Sequence, residues 1–241
     1  TFSNPPDTSL EIIPVVYITN KTLLKTSVDS IRELAPKLWK KVVSIASRQK
    51  IIFAEMQLDC DWTLQTREKY FTLIKELQKK MVTDQKDLSV TIRLHQAKYP
   101  DMTGIPDVKK GMLMFYNMGK LSGERNSIYN EKDANTYIHA LKSYPLDLDA
   151  VLPSFCWTVQ LRNKKIIGLL NETITQNLDL SHYKLISKNQ YQAKSSFFFH
   201  GHYIMKDDIL KVEEMDPATT ISAAEKLSGA LIKQNRSVAI F

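Results

Sequence analysis

Long apolar runs are missing from this 241-residue chain. No stretch approaches the roughly 18 residues a helix needs to cross a bilayer, so no transmembrane segment is expected. Glycine and proline are few, 7 and 9, which excludes collagen-like and low-complexity material. Two cysteines cannot build a disulfide scaffold, and neither lies in a recognisable nucleophile motif. No glycine-rich phosphate loop follows the first candidate strand, and no serine sits in a G-x-S-x-G elbow. A Rossmann-type dinucleotide site and a serine hydrolase are therefore disfavoured, and no cofactor is expected. What remains is an ordinary globular composition, 43% hydrophobic and 24% charged, with length enough for a sizeable core.

Positive charge is in excess, 33 Lys+Arg against 26 Asp+Glu, for a formal charge of +7. The lysines are spread over helix faces, as at Lys37, Lys40 and Lys41 or Lys75, Lys79 and Lys80, and no arginine-rich block appears. That pattern reads as solvated helix faces, so no nucleic-acid partner is expected. The chain opens on a polar, proline-containing lead-in, TFSNPPDTSLE, without a basic and apolar leader pattern. An exported protein whose signal has been removed and a front-trimmed chain both fit; extracytoplasmic placement is the expectation.

Strands and amphipathic helices alternate. Strands are predicted over Ile12–Asn20, Ile51–Asp61, Leu88–His95 and Gly111–Met118, then near Ala150–Leu161, Ile166–Leu170, Tyr191–Met205 and Ser237–Phe241. The intervening helices show three-and-four spacing: Val28, Ile31, Leu34, Leu38, Val42 and Ile45 after Ser27; Tyr70, Ile74, Leu77 and Met81 after Thr63 or Thr66; Tyr137, Ile138 and Leu141 after Asp133. Asp216-Pro217 marks a last helix start, with Ile221, Ala224, Leu227 and Leu231 on its apolar side.

Repeated β-α units imply a parallel sheet, either open or closed into a barrel. Strands covered by helices on both faces should be apolar throughout. Here one face of Ile51–Asp61 reads Glu55, Gln57, Asp59, Asp61, and one face of Leu88–His95 reads Ser89, Thr91, Arg93, His95. A polar inner face fits a (β/α)8-type TIM barrel. About seven barrel strands are countable, so the barrel is expected to be incomplete, or its first strand to lie before Thr1. With no linker and no internal repeat, residues 1–241 are taken as a single (β/α)-barrel domain.

Period-two geometry puts Glu55, Gln57, Asp59 and Asp61 in one column. Stacked carboxylates repel, and a raised pKa in one of them would supply a general acid. The competing reading pairs these acids with Arg93 and His95 in a structural network. Trp62, Tyr116 and Trp157 fall at predicted C-terminal strand ends, where barrels build their sites and where an aromatic face can stack on a sugar ring.

The run Glu55–Thr63 resembles a degenerate form of the D-x-x-D-x-D-x-E strand of chitinase-type glycoside hydrolases, with similarity from about Ile51 to Trp157. In that family the final Glu protonates the glycosidic oxygen, and the Asp two positions before it orients the substrate's N-acetyl group. Aligned by strand ends, the resemblance puts Asp61 at the acid position, Asp59 at the orienting position and Gln57 at the preceding Asp. Tyr116, in Met114-Phe-Tyr116-Asn117, matches a later Tyr that holds the N-acetyl group. The acid position lacks a Glu, and the alternative alignment puts Thr63 there and implies an inactive protein. The segments Val15–Asn20, Gln57–Trp62, Thr91–His95, Met112–Asn117, Leu152–Trp157 and Phe198–Tyr203 are also similar to poorly characterised, exported bacterial barrel proteins related to glycosidases.

The resulting expectation is a glycoside-hydrolase-like barrel with a carbohydrate partner that contains an N-acetylhexosamine. Asp59, Asp61, Glu55 and Tyr116 are the candidate catalytic residues. Gln57, Trp62, Arg93, His95, Asn117 and Trp157 are the candidate substrate-binding residues. A carbohydrate-binding barrel without turnover is the first alternative. A metal-dependent hydrolase using His200 and His202 is the second, although no metal is expected.

Overall fold

A computed structural model describes residues 7, 9–171, 178–231 and 236–241; residues 1–6 and 8 of the lead-in lie outside them. The first part of the chain is β1 (Val15–Tyr17), α1 (Asn20–Lys25), α2 (Val28–Arg48), β2 (Glu55–Asp59), α3 (Arg67–Met81), β3 (Asp87–Arg93), α4 (Leu94–Lys98), α5 (Pro100–Thr103) and β4 (Lys110–Met114). Then come α6 (Glu131–Leu141), β5 (Asp147–Leu152), β6 (Trp157–Arg162), β7 (Lys165–Asn171), β8 (Tyr183–Ser187), β9 (Gln190–Ala193), β10 (Phe197–Phe199), β11 (His202–Ile204), β12 (Ile209–Glu213), α7 (Pro217–Ser228) and β13 (Val238–Ile240).

One sheet has the order β1-β2-β3-β4-β5-β13. Its first three pairings are parallel, with Val16 beside Leu58, Gln57 beside Ser89 and Thr91 beside Met112. Parallel strands joined through helices make this an incomplete (β/α) barrel of six strands, one fewer than the count from periodicity. The missing member is the Tyr191–Met205 region. It forms β9, β10 and β11, which belong to two antiparallel sheets, β7-β6-β12-β9-β8 and β10-β11. After β5 neighbouring strands pair antiparallel instead of crossing over through helices, and among the described residues α7 is the one helix that follows.

The chain divides into two compact units that interleave in sequence: Thr1–Met114 with Ser143–Ala150 and Lys233–Ser237, and Phe115–Lys142 with Val151–Ile232 and Val238–Phe241. In the first unit the core lies between the sheet and the helices. Met56, Leu58, Val90 and Ile92 are buried, as are Tyr70, Leu73, Ile74, Leu77 and Met81 of α3. Ser27 caps α2 by accepting from the Ser30 amide at 3.1 Å. The buried stripe of α2 is Ile31, Ala35, Trp39, Val42 and Ala46, rotated from the one expected; Val28 and Ile45 are exposed. Trp39 sets that rotation. Its ring meets Phe53 edge-on at 6.0 Å and its indole N–H donates to Asp84 at 2.8 Å.

In the second unit Leu178, Tyr183, Tyr191, Ala193, Ile204, Leu210 and Val212 form the core of the antiparallel sheet. Asp216 caps α7 through the Thr219 amide at 2.9 Å, as the sequence predicts. The cap of α6 is Asn130, which accepts from the Asp133 amide, so Asp133 lies inside the helix it was expected to start. Among the described residues no helix is long and apolar enough to cross a membrane.

Candidate functional site

The acidic column of β2 divides into three environments. Glu55 stands at the N-terminal end, where Lys110 Nζ pairs with Glu55 Oε2 at 2.8 Å and with Asp149 Oδ2 at 3.1 Å. Burial alone would lower the Lys110 pKa; the bonds and charges of the two carboxylates outweigh it and hold the ammonium above its ordinary value. Glu55 precedes Asp59 by four strand residues, about 13 Å. Its place is in a buried ion cluster at the opposite end of the strand from the barrel's functional face. Next, Gln57 is buried and its Nε2 donates to Ser89 Oγ at 3.2 Å across the β2–β3 register. The inner face at this depth is polar, as expected, but closed and internally hydrogen-bonded.

At the C-terminal end the environment opens. Asp59 Oδ1 accepts from Thr91 Oγ1 at 2.6 Å and from Arg93 Nη2 at 3.0 Å, and its side chain keeps 19% exposure. A hydroxyl and a guanidinium on one oxygen fix the plane of the carboxylate and offset its charge. Asp61, two residues on, has a 59% exposed side chain with His95 Nε2 3.5 Å away. The acids therefore have the basic neighbours that the network reading requires, while Asp61 stays open to a ligand.

His95 is held in place by α4. The Arg93 amide donates to Gln96 Oε1 at 2.8 Å, and the buried Gln96 Nε2 donates to the Trp62 carbonyl at 3.2 Å. Thr103 Oγ1 donates to the Gln96 carbonyl at 3.0 Å, and Trp62 Nε1 to the Thr103 carbonyl at 2.9 Å. Trp62 is thus a core residue. It is fully buried and stacks on Tyr70 at 4.9 Å, which corrects the expectation of a sugar platform there. Cys60 is buried between the two aspartates in sequence. Burial first, then the charges of Asp61 and Asp59, outweigh Arg93 and push its thiol up to about 12, away from nucleophile chemistry.

The remaining candidates lie in the second unit. Tyr116 is buried, stacked on Phe241 with centroids 5.6 Å apart and planes 3° apart, and meets Phe155 edge-on at 5.6 Å. Asn117 is exposed in the left-handed region, φ +55, and its amide donates to the Ile128 carbonyl at 2.8 Å, opening the loop before α6. Trp157 is half-buried beside Phe155 at 5.2 Å, with its indole N–H donated to Glu213 Oε2 at 2.6 Å.

Glu213, Lys211 and Ser127 escape the sequence reading, which assigns no element to 206–215. Glu213 also accepts from the amide of Ser127 at 2.9 Å and from its hydroxyl, and pairs with Lys211, which donates to the Arg125 carbonyl at 2.8 Å. Both charged side chains are fully buried. The available signal was the alternation Leu210-Lys211-Val212-Glu213, a strand with two charges of opposite sign on one face. The loop before α6 borders a cavity of about 560 Å³ lined by Met118, Lys120, Glu124, Arg125 and Asp133 among others.

His200 and His202 belong to the β10–β11 hairpin, His200 in its turn and His202 on β11. Among the described residues no group of three or more His, Cys, Asp or Glu side chains is arranged to hold a metal ion. The structure thus brings Asp59, Asp61, Arg93 and His95 together in one unit, and Tyr116 and Trp157 with Phe155 and Phe241 in the other.

No family model matches the chain, and no curated protein matches it. Solved structures do. The spore cortex-lytic enzyme SleL of Bacillus megaterium QM B1551 superposes with a TM-score of 0.59 at 13% identity, covering 95% of this chain and 56% of that one. A chitinase of Chromobacterium violaceum gives 0.57 at 12% identity, covering 97% and 75%. A GH18 chitinase of Cycas revoluta, solved with (GlcNAc)4, gives 0.55 at 14% identity, covering 95% and 75%. The chain spans little more than half the length of the first of these. The likeness establishes a (β/α)-barrel fold.

Proposed function

We propose that the chain is a glycoside-hydrolase-like barrel that takes an N-acetylhexosamine-containing carbohydrate at the C-terminal ends of β2 and β3. The observation that carries this reading is the Asp59–Asp61 pair, one carboxylate clamped by Arg93 and Thr91 and the next open beside His95. The barrel likeness to chitinases and to a cortex-lytic enzyme supports the substrate class. Asp59 orients the N-acetyl group, whose carbonyl oxygen attacks the anomeric carbon. Asp61 protonates the departing glycosidic oxygen, and His95 supports it. We include residues 1–241 as one domain, because the two units interleave along the chain. Extracytoplasmic placement belongs to the same proposal, and cell fractionation tests it.

Binding without turnover is the second reading, favoured by the residue at the acid position. Asp61 is short and largely solvent-exposed where the resembling family has a Glu. Titration calorimetry and product analysis with chitotetraose separate the two. Under the first reading, wild type cleaves, Asp61→Asn binds but turns over at least about 100-fold more slowly, and Asp59→Asn loses both. Binding without cleavage selects the second reading. Neither binding nor cleavage, across oligosaccharides of several hexosamines, sinks both.

A further inference from the structure

The β10–β11 hairpin displays aromatic surface that its own packing does not use. Its three central residues on one strand are Phe197, Phe198 and Phe199, and alternation requires the middle one to face away from the other two. Phe197 packs inward, edge-on to Tyr183 at 5.5 Å, and Phe197 and Phe199 both cover the core of the five-stranded sheet. Phe198 is left 75% exposed. Its cross-strand partner is Tyr203, itself 48% exposed, with ring centroids 5.0 Å apart. The turn is a two-residue loop with φ +47 at His200 and +80 at Gly201, a hairpin geometry that matches strand twist and fixes the register. The two rings are therefore held side by side by the layer beneath them.

The size and rim of this patch decide its occupant. Two aromatic side chains offer at most about 150–250 Å² each, far short of the roughly 800 Å² per partner of a stable protein interface. The segment Ser195–Lys206 holds a single lysine, without the cluster of about four to eight cations that an anionic lipid surface selects. Of its flanking residues Ser195, Ser196, His200 and Lys206 are exposed and polar, and Met205 is exposed as well. A hexose ring fits: its C–H face is apolar and its hydroxyl edge needs such donors and acceptors. We infer that Phe198 and Tyr203 form a second glycan contact, remote in sequence from Asp59 and Asp61, which holds a polymeric chain of the same hexosamine class. The inference rests on the carbohydrate reading and adds a polymer-holding surface to it.

The test uses the full chain, insoluble chitin particles and soluble chitotetraose. Wild type should be depleted from solution by the particles. Phe198→Ala/Tyr203→Ala should raise the apparent Kd for particles about tenfold while binding chitotetraose as wild type does. Phe198→Tyr should restore particle binding, and unchanged far-UV circular dichroism should show that the hairpin stands. Equal particle binding by wild type and the double variant overturns the inference and leaves the carbohydrate reading intact. Loss of chitotetraose and particle binding by wild type itself removes the reading beneath it. Co-sedimentation with phosphatidylglycerol vesicles, or concentration-dependent dimerisation in light scattering, that disappears in the double variant also overturns it, in favour of a membrane or a second copy.

Discussion

Carboxylates in the two units have opposite surroundings. Glu213 is enclosed: Lys211, the Ser127 amide and hydroxyl, and the Trp157 indole all donate to it, and none of its side chain reaches solvent. Asp59 has two donors, both on one oxygen, and Asp61 faces water beside a single imidazole. A fully satisfied buried charge holds a loop against a strand. A half-satisfied one at a strand end keeps acceptor capacity for a further donor. Burial and the number of donors separate the two cases, since residue type does not.

The comparison breaks most visibly at Lys211. Removing one partner of a buried ion pair leaves an uncompensated charge and costs about 3–5 kcal/mol. Lys211→Met should lower stability by that amount in urea unfolding, and Lys211→Met/Glu213→Gln should recover part of it. A loss below about 1 kcal/mol would show that the pair is solvated. Smaller effects separate the two tryptophans. Trp62→Phe strips the Thr103 carbonyl of its indole donor inside the core and should cost about 1–3 kcal/mol. Trp157→Phe leaves Glu213 with three other donors and should cost about 1 kcal/mol. A reversed order would show that Trp157, not Trp62, is the more tightly held of the two.

Why the sequence disclosed one unit better than the other follows from the kind of signal each carries. Strands β2 and β3 announce themselves by period-two alternation, and the Asp59–Arg93 neighbours follow from adjacent parallel strands, whereas Asp61 and His95 meet beyond the strand ends, His95 on α4. The β6–β7 turn has an equally local cause, since Asn163 and Lys164 occupy left-handed positions that asparagine tolerates, φ +49 and +64. Trp62 was misplaced because a strand-end position says nothing about whether the following turn folds inward; the Gln96–Thr103 bonds decide that, and they come from a segment 34 or more residues away. Glu213 was missed because a charged strand looks like surface until a lysine two residues earlier and a serine 86 residues earlier are seen to close over it.

Acid should probe the second unit's other closed carboxylate. Asp208 accepts from Arg162 Nε at 2.7 Å and Nη2 at 2.8 Å, from Gln160 at 2.7 Å and from the Met205 amide at 2.8 Å. Burial raises its pKa, but these bonds outweigh burial and hold the carboxyl below the ordinary value of 3.8. A depressed folded-state pKa contributes stability that is present above the unfolded value and lost as pH falls through the folded one. Unfolding free energy should therefore be level near neutrality and decline below about pH 4, with a shallower acid limb in Asp208→Asn. Parallel limbs in the two proteins would show that Asp208 titrates like an exposed carboxyl.

The smallest effect is chemical and contrasts Cys60 with Cys156. Neither is in a disulfide; Cys60 is buried and Cys156 half-buried. With its thiol pushed up to about 12, Cys60 has almost no thiolate at pH 8, and no path for a reagent to reach it. Iodoacetamide on the native chain should therefore label Cys156 first, and Cys60 only on unfolding, as read by peptide mass spectrometry. Labelling of Cys60 at a rate that matches the unfolded chain would mean that the turn carrying Asp61 and Trp62 opens in the native state. The geometry proposed for Asp59 and Asp61 would then not be fixed, because Cys60 is the buried residue between them.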